Sequence, residues 1–404
     1  MTARRGASRR VIAATLGALV ALGIALALAF TGGDRADAAR NHSKSPAPKG
    51  VPTFTLDARW PAALPNDWVF GQGDSVAVDR HDHVWVLTRP AGVPAAELEA
   101  GKIAAPPVVE LDRTGRFVRG WGGPDWVKPW FASQSPLPDY PIGTPAEHGI
   151  YVDGDDNVWL TGSGHVVLKF TRSGRLLLQI GEFGQTGGSN DTRLLGNPTD
   201  IAVDTTRNEV YVSDGYLNRR VIVFDSETGA YKRHWGAYGN VPNDDPPELY
   251  EPGKPLPRQF FIVHGIQLSD DGLLYVSDRQ RNRIQVFRPD GTFVREGLVD
   301  PTAPAGGGIT EKGVFTDPRV AGAGYGSVAR VAFSSDRAQR YLYAATVRGQ
   351  IFILRRSDLK VLGSFTAQGG LHHIASDSRG DIIISDGRTP LRYRMDGSIP
   401  AGKS

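Results

Sequence analysis

The chain has 404 residues, with 49 Gly and 28 Pro but no Cys. Abundant Gly and Pro favour a fold with many turns, and the lack of Cys excludes disulfide bonds and thiolate metal sites. Residues 1–39 hold five of the 46 basic residues and two of the 43 acidic ones, so the remaining chain is balanced at 41 of each and has no electrostatic attraction to nucleic acid.

The N-terminal segment has the pattern of a targeting signal. Four arginines precede an apolar run of 20 residues from Val11 to Phe30, and alanines follow it. Such a run is typical of either a cleaved signal peptide or an uncleaved membrane anchor, and both alternatives stay open. Positive charge before the run keeps the N-terminus in the cytoplasm, so we expect the rest of the chain to be exported. We therefore divide the chain into a leader (1–39), a flexible linker (40–52) and a main domain (53–398).

The main domain contains an internal repeat of six copies. Each copy has an apolar strand, a polar turn, a second strand that ends near Ser-Asp, a third strand, a Gly turn and a fourth strand. The copies begin near Val76, Glu147, Pro198, Val263, Val331 and Ile374. Six successive four-stranded units predict an all-β fold, a six-bladed β-propeller.

The sixth copy has only three strands before the chain ends. The segment 53–60, TFTLDARW, resembles the fourth strands of the other copies. We therefore expect this N-terminal segment to complete the sixth blade, which would also cover an open sheet edge.

One position near the start of each first strand holds histidine in three of the six copies. The equivalent residues are Asp74, His148, Thr199, His264, Ala329 and His372. Because the innermost strands line the propeller axis, histidines on alternate blades would converge at about 120° to one another. Three imidazoles around one point suit Zn²⁺ with an open position for substrate, although iron, cobalt or manganese would also suit them. The alternative is a set of hydrogen-bonded channel histidines without a metal.

Three further residues are predicted to lie at the same mouth of the propeller. Neighbouring strands run antiparallel, so the end of a second strand lies beside the start of a first strand. Arg89 and Arg279 follow second strands, and Tyr216 lies one step beyond such an end. Arginine pairs well with a carboxylate, and a tyrosine beside a metal ion and a cation can serve as a base.

With these residues the chain resembles the NHL-repeat propellers, and among them the peptidyl-α-hydroxyglycine α-amidating lyases (peptidylamidoglycolate lyases). The resemblance spans about residues 70–395 and is strongest in HGIYVDGDDNVWLTG, VYVSDGYLNRR and VSDRQRNRIQVF. These lyases cleave the C–N bond of a carbinolamide to release an amide and glyoxylate. The resemblance implies zinc on His148, His264 and His372. It also implies that Tyr216 takes the substrate's hydroxyl proton, and that Arg89 and Arg279 position the substrate.

The resemblance also implies a structural calcium ion, partly held by the backbone carbonyls of Val76 and Ile150. In this chain His373 stands where the lyases have an Asp directly after the third zinc ligand. Imidazole is a poor ligand for a hard cation, so His373 argues against the calcium site. His373 is also an alternative to His372 as a zinc ligand.

The sequence thus predicts a metal-dependent lyase, most simply a monomer, that acts on a small molecule or peptide and meets the membrane only through its N-terminal segment. Two alternatives stay open. A non-catalytic extracellular binding propeller would account for His373 and for the irregular sixth copy. A calcium-dependent, lactonase-like hydrolase would need inward Glu, Asn and Asp ligands, which the first strands do not offer.

Overall fold

A computed structural model describes residues 50–397, except 129, 132–146, 246–247, 249, 306–323, 370 and 386. The predicted leader (1–39) and nearly all of the predicted linker (40–52) lie outside the described residues, so those boundaries stay predictions. Within the described part of the chain, no helix has the length and apolar character needed to cross a membrane.

Six four-stranded antiparallel sheets form the fold, and each is one blade. The predicted six-bladed propeller is therefore confirmed. In order from the innermost strand outward, blade 1 contains Gln72–Val78, Val84–Arg89, Val108–Leu111 and Phe117–Trp121, and blade 2 contains Glu147–Val152, Val158–Gly162, Val166–Phe170 and Leu176–Ile180. Blade 3 contains Asp200–Asp204, Glu209–Asp214, Arg220–Asp225 and Tyr231–Trp235, and blade 4 contains Val263–Leu268, Leu274–Asp278, Arg283–Phe287 and Phe293–Leu298. Blade 5 contains Val328–Phe333, Tyr341–Thr346, Gln350–Arg355 and Lys360–Thr366.

Blade 6 is assembled from both ends of the chain, as the sequence predicted. Its inner three strands are Ile374–Ser376, Ile382–Ile384 and Leu391–Asp396, and the N-terminal strand Thr53–Leu56 is the fourth. The pairing is antiparallel, with Thr53 opposite Asp396. This closure satisfies the backbone groups at an edge that would otherwise be open.

Few other elements are present in the described residues. They are the helix Ala95–Glu99, three 3₁₀ turns (Pro90–Gly92, Ala237–Gly239 and Arg279–Arg281) and a short parallel pair formed by Trp68–Val69 and Ile103–Ala104.

The hydrophobic core lies between neighbouring blades. Six clusters of buried apolar side chains each join one blade to the next, and the cluster around Trp60, Val76 and Ile383 joins blade 6 to blade 1. The second strands of blades 1 to 4 are buried along their whole length because they are covered on both faces. The fourth strands, such as Leu176–Ile180, are largely exposed at the rim.

A tryptophan at the end of a fourth strand packs on a glycine turn of the next blade. A Cβ added at Gly115 would lie 2.5 Å from the Trp60 indole nitrogen, and one at Gly174 would lie 2.7 Å from the Trp121 ring. Gly115 has φ +86°, so its backbone conformation also favours glycine. Trp60 therefore seals the closing blade against blade 1.

Candidate metal centre

His148, His264 and His372 converge at the propeller axis. Their ring centroids are separated by 5.0 Å (His148 to His264), 4.7 Å (His148 to His372) and 4.8 Å (His264 to His372). The three rings form a nearly equilateral triangle. His148 and His264 are buried, and His372 is partly exposed. The structure thus brings together the three residues that the repeat register singled out.

Backbone bulges aim His148 and His264 at the axis. In blade 2 the strand register shifts between Glu147 and Gly149, and in blade 4 it shifts between Val263 and Gly265, so each histidine is the extra residue. A bulge of this kind bends a strand and redirects one side chain. The following glycine is also required, because a Cβ at Gly149 would lie 2.5 Å from the carbonyl oxygen of Thr199 in the next blade.

The second ring nitrogen of each of these two histidines is held by the neighbouring blade. His148 Nδ1 lies 2.7 Å from the carbonyl oxygen of Thr199, and His264 Nδ1 lies 3.0 Å from that of Ala329. A carbonyl oxygen only accepts, so Nδ1 carries the proton and the Nε2 lone pair is left for the axis. Metal-binding histidines are typically oriented by such a bond.

These acceptors belong to the same ring of equivalent repeat positions as the histidines. Thr199 and Ala329 follow His148 and His264 by one blade each. The repeat register placed Thr199 and Ala329 at these positions, but it could not predict their role. A backbone carbonyl can accept a hydrogen bond whatever side chain the residue carries.

Both histidines are held in the neutral form that a metal ligand needs. Burial, followed by electrostatic repulsion from His372 and Arg89, keeps the pKa of His148 well below its usual value. Burial and then the guanidinium of Arg279 do the same to the pKa of His264. Since a neutral imidazole offers a lone pair without first losing a proton, this environment favours metal binding.

Tyr216 lies directly over the imidazole cluster. Its hydroxyl is 3.0 Å from His148 Nε2 and 3.4 Å from His264 Nε2. Because those nitrogens carry lone pairs, the hydroxyl donates. Gly215 allows this approach, since a Cβ there would lie 1.9 Å from the carbonyl oxygen of Val263. The predicted base is therefore within reach of the predicted ligands.

The two predicted arginines flank this cluster in different ways. The Arg279 guanidinium stacks 5.7 Å from the ring centres of both Tyr216 and Tyr325 and is 5% exposed. Among the residues that the structure describes, no carboxylate forms an ion pair with Arg279, and its Nε has no hydrogen-bond partner. Arg89 Nε donates to the carbonyl oxygen of Glu147 over 2.9 Å, which fixes the strand just before His148.

Glu147 is a buried group that the sequence did not single out. Its side chain accepts a 2.7 Å hydrogen bond from the Trp130 indole, and burial raises its pKa. No signal in the repeat marks it, because the position next to His148 differs from blade to blade.

His373 forms a second possible trio with His148 and His372, in which the candidate ligand nitrogens lie within 4.8 Å of one another. Its Nδ1, however, lies 2.5 Å from Ser75 Oγ and 3.1 Å from Arg330 Nη1. Arginine can only donate, so Nδ1 is the acceptor and the neutral ring carries its proton on Nε2. A protonated nitrogen cannot bind a metal, so the trio with His264 is the better ligand set.

His148, His264 and His372 offer the donor type that suits zinc, and His148 and His264 are also buried and oriented by backbone carbonyls. A calcium ion does not fit the groups that the resemblance implied. The carbonyl oxygen of Val76 accepts a 2.8 Å hydrogen bond from Arg330 Nη1, so a cationic side chain already occupies it. The Ile150 amide donates to Ser75 Oγ, and the described carboxylate near these groups, Asp200, is paired with Arg330.

A second group of possible ligands, Asp79, His83 and Glu110, lies at the other end of the blade 1 strands. Arg172 Nη2 is 2.8 Å from Asp79 Oδ2 and also contacts Glu110. His83 Nδ1 lies 2.6 Å from Glu110 Oε1. This group is an ion-pair network between blades 1 and 2, because its carboxylates already have cationic partners.

Comparison with known proteins gives relatives of two kinds. No protein-family model matches the chain. It is 30% identical over 279 residues to peptidyl-alpha-hydroxyglycine alpha-amidating lyase 2 of Drosophila melanogaster, covering 65% of this chain and 58% of that protein. It is 28% identical over 252 residues to NHL repeat-containing protein 3 of Mus musculus, covering 59% and 58%.

Matches to longer enzymes are confined to a shorter segment. The chain is 36% identical over 155 residues to the peptidylglycine alpha-amidating monooxygenase of Rattus norvegicus, covering 37% of this chain and 14% of that protein. The chain thus spans only about one seventh of that relative's length. A solved structure of streptogramin B lyase aligns with a TM-score of 0.46 at 11% identity over 86% of this chain and 98% of that chain, a likeness too low to bear on function. With its six blades and these relatives, the chain is a six-bladed β-propeller that resembles the NHL-repeat proteins and the peptidyl-α-hydroxyglycine α-amidating lyases.

Proposed function

We propose that the protein is a metal-dependent carbon–nitrogen lyase that cleaves a carbinolamide into an amide and glyoxylate. One observation carries this proposal: three imidazoles lie within 5.0 Å of one another on the axis, beneath a tyrosine hydroxyl. The names of the fly relatives supply the substrate class, a peptidyl-α-hydroxyglycine. We further infer that the protein is exported and works as a monomer.

His148, His264 and His372 would hold a zinc ion. Bound there, zinc would supply Lewis-acid polarisation of the substrate's hydroxyl or carboxylate oxygen. The backbone acceptors Thr199 and Ala329 keep two of the imidazoles in the tautomer that this requires.

Tyr216 is the group best placed to accept the hydroxyl proton. Its oxygen faces the same axial point as the two Nε2 atoms, at 3.0 and 3.4 Å from them. When the carbinol O–H bond breaks, its electron pair forms the new C=O bond of glyoxylate. The C–N bonding pair then moves to nitrogen, which takes up a proton and leaves as the amide. Tyr216 must enter this sequence as the phenolate, having lost its own proton; it then takes the carbinol proton and returns it to the leaving nitrogen, so both steps balance.

Arg279 offers a site for the substrate's carboxylate. A buried guanidinium without a carboxylate partner in the described structure is costly, and a bound carboxylate would neutralise it with two parallel hydrogen bonds. Its stacking on Tyr216 places that carboxylate beside the proton-accepting oxygen. Arg89 has a supporting role, because its Nε holds the strand that carries His148.

The full-length protein, loaded with zinc and incubated with an α-hydroxyglycine peptide, should release glyoxylate and amidated peptide in equal amounts. His148→Ala should abolish this release, whereas His81→Ala should not, because His81 is exposed and lies outside the site. If the unmodified protein forms no more product than His148→Ala, the proposal is wrong.

A non-catalytic binding propeller is the second candidate. The arginine in place of the implied calcium favours it, because the chain departs there from the lyases it resembles. Metal analysis separates the two candidates, since only the lyase requires one zinc ion per chain and loses its function on chelation.

A further inference from the structure

We propose that the guanidinium of Arg330 takes the place of a metal ion on the axis of this propeller. The ring of blades would then be held together by a cation that belongs to the chain itself. This proposal concerns stability and metal content, so it can fail while the lyase activity proposed above stands, and the reverse also holds.

Arg330 lies on the innermost strand of blade 5, and its side chain crosses to three other blades. Nε lies 2.9 Å from Asp200 Oδ2 of blade 3 in an ion pair. Nη1 donates to the carbonyl oxygen of Val76 in blade 1 over 2.8 Å. The same nitrogen lies 3.1 Å from His373 Nδ1, at the start of blade 6. The guanidinium is buried, and it binds anionic or neutral acceptors only.

The hydrogen-bonded groups around Arg330, here called the polar layer, also reach the two remaining blades. Asp200 Oδ2 accepts a 3.1 Å hydrogen bond from the Ile266 amide of blade 4. Ser75 Oγ accepts one of the same length from the Ile150 amide of blade 2 and contacts His373 Nδ1 at 2.5 Å. All six innermost strands are therefore joined through one buried cation and its acceptors.

Charge balance among the described side chains disfavours a divalent cation in this layer. Among the side chains that the structure describes in the layer, Asp200 supplies the carboxylate, and Arg330 neutralises it. A calcium ion on the Val76 carbonyl would lie beside a guanidinium, with repulsion strengthened by burial. Calcium also needs six to eight oxygen ligands, and His373 contributes none.

His373 fits an arginine better than a carboxylate would. A second carboxylate beside Asp200 would leave a net negative charge in a buried layer, whereas a neutral imidazole accepts the arginine N–H and adds no charge. Arg330 and His373 thus work as a pair. His373 is a structural acceptor and not a metal ligand.

The first test measures metal content and stability of the full-length protein. After exhaustive dialysis against calcium-free buffer, we expect no stoichiometric calcium by mass spectrometry and no rise in Tm when calcium is added back. One retained calcium per chain, or a clear rise in Tm with calcium, would overturn the proposal.

Variants test the role of the side chain itself. Arg330→Met leaves the Asp200 carboxylate buried and unpaired, so we expect Tm to fall by roughly 5–10 °C. Arg207→Met removes an exposed arginine from a 2.6 Å ion pair with Asp204 and should change Tm by about 1 °C at most. Equal falls in the two variants would contradict the proposal.

A double variant tests whether Arg330 prevents calcium binding. Arg330→Met combined with His373→Asp removes the built-in cation and adds a carboxylate. We expect this protein, unlike Arg330→Met alone, to gain Tm when calcium is added. Failure to respond would show that Arg330 is not what excludes calcium. If Arg330→Met does not fold, Arg330→Gln replaces it in both comparisons, and the metal analysis of the unmodified protein stands regardless.

Discussion

Tyr216→Phe separates catalysis from stability more cleanly than any change to a histidine. The substitution removes one oxygen and keeps the ring that stacks beneath Arg279 and against His148. The lost hydroxyl has one proton, which it shares between two neutral ring nitrogens at 3.0 and 3.4 Å. Such a shared hydrogen bond contributes about 1 kcal/mol.

The expected loss of activity is much larger than the loss of stability. A positioned acid–base group contributes about 10² to 10⁴ in rate, which corresponds to roughly 3 to 5 kcal/mol of barrier. We therefore expect kcat for glyoxylate release to fall by that factor, while the free energy of unfolding falls by about 1 kcal/mol and the zinc content stays at one per chain.

Tyr231→Phe is a matched control. Tyr231 makes the same kind of bond, 2.9 Å from its hydroxyl to His234 Nδ1, but on the outermost strand of blade 3. This variant should retain full activity. Glyoxylate release by Tyr216→Phe within about threefold of the unmodified protein would refute a role for the hydroxyl as base.

Three further predictions concern the ligands, the closure and a buried carboxyl. His264→Ala should lose stoichiometric zinc while His373→Ala keeps it, as measured by elemental analysis; the opposite order would favour the other histidine trio. Gly115→Ala should lower the free energy of unfolding by at least about 2 kcal/mol more than Gly101→Ala. Both glycines have φ near +85°, but only a Cβ at Gly115 would meet an aromatic ring. Equal losses in denaturant titrations would contradict the packing of Trp60 on Gly115. Burial and the neighbouring Asp381 raise the pKa of Asp377 to about 6, so its contribution to stability is lost as pH rises from about 4 to 6. Asp377→Asn should therefore gain about 1 kcal/mol at pH 7, allowing for solvent screening, and none at pH 4.

The propeller and its closure could be predicted from sequence because both follow from repetition. Six copies with matching apolar positions determine the blade number, and the short sixth copy indicates that a strand is missing. The same register pointed to His148, His264 and His372, because a residue's place in the repeat determines its place around the axis.

The contacts around those histidines could not be predicted in the same way. The bulges at His148 and His264 depend on how the strands pair. In the sequence, only the glycine that follows each histidine indicates them. Arg330 is an isolated arginine in an apolar strand, and nothing in the sequence marks its role. Only the folded structure shows that its side chain reaches Asp200 on another blade. The sequence identified His373 as a departure from the lyases but not the arginine that accompanies it.

The joining of Thr53–Leu56 to Leu391–Asp396 has a consequence for biogenesis. The first strand of the ring to leave the ribosome pairs with the last, and the Thr55 hydroxyl bonds Asp396 across 341 positions of sequence. Contacts so distant along the chain form late and slowly. Until Leu391–Asp396 has been synthesised, the early strand must wait unpaired, and nascent chains at that stage are the ones most exposed to proteases and chaperones.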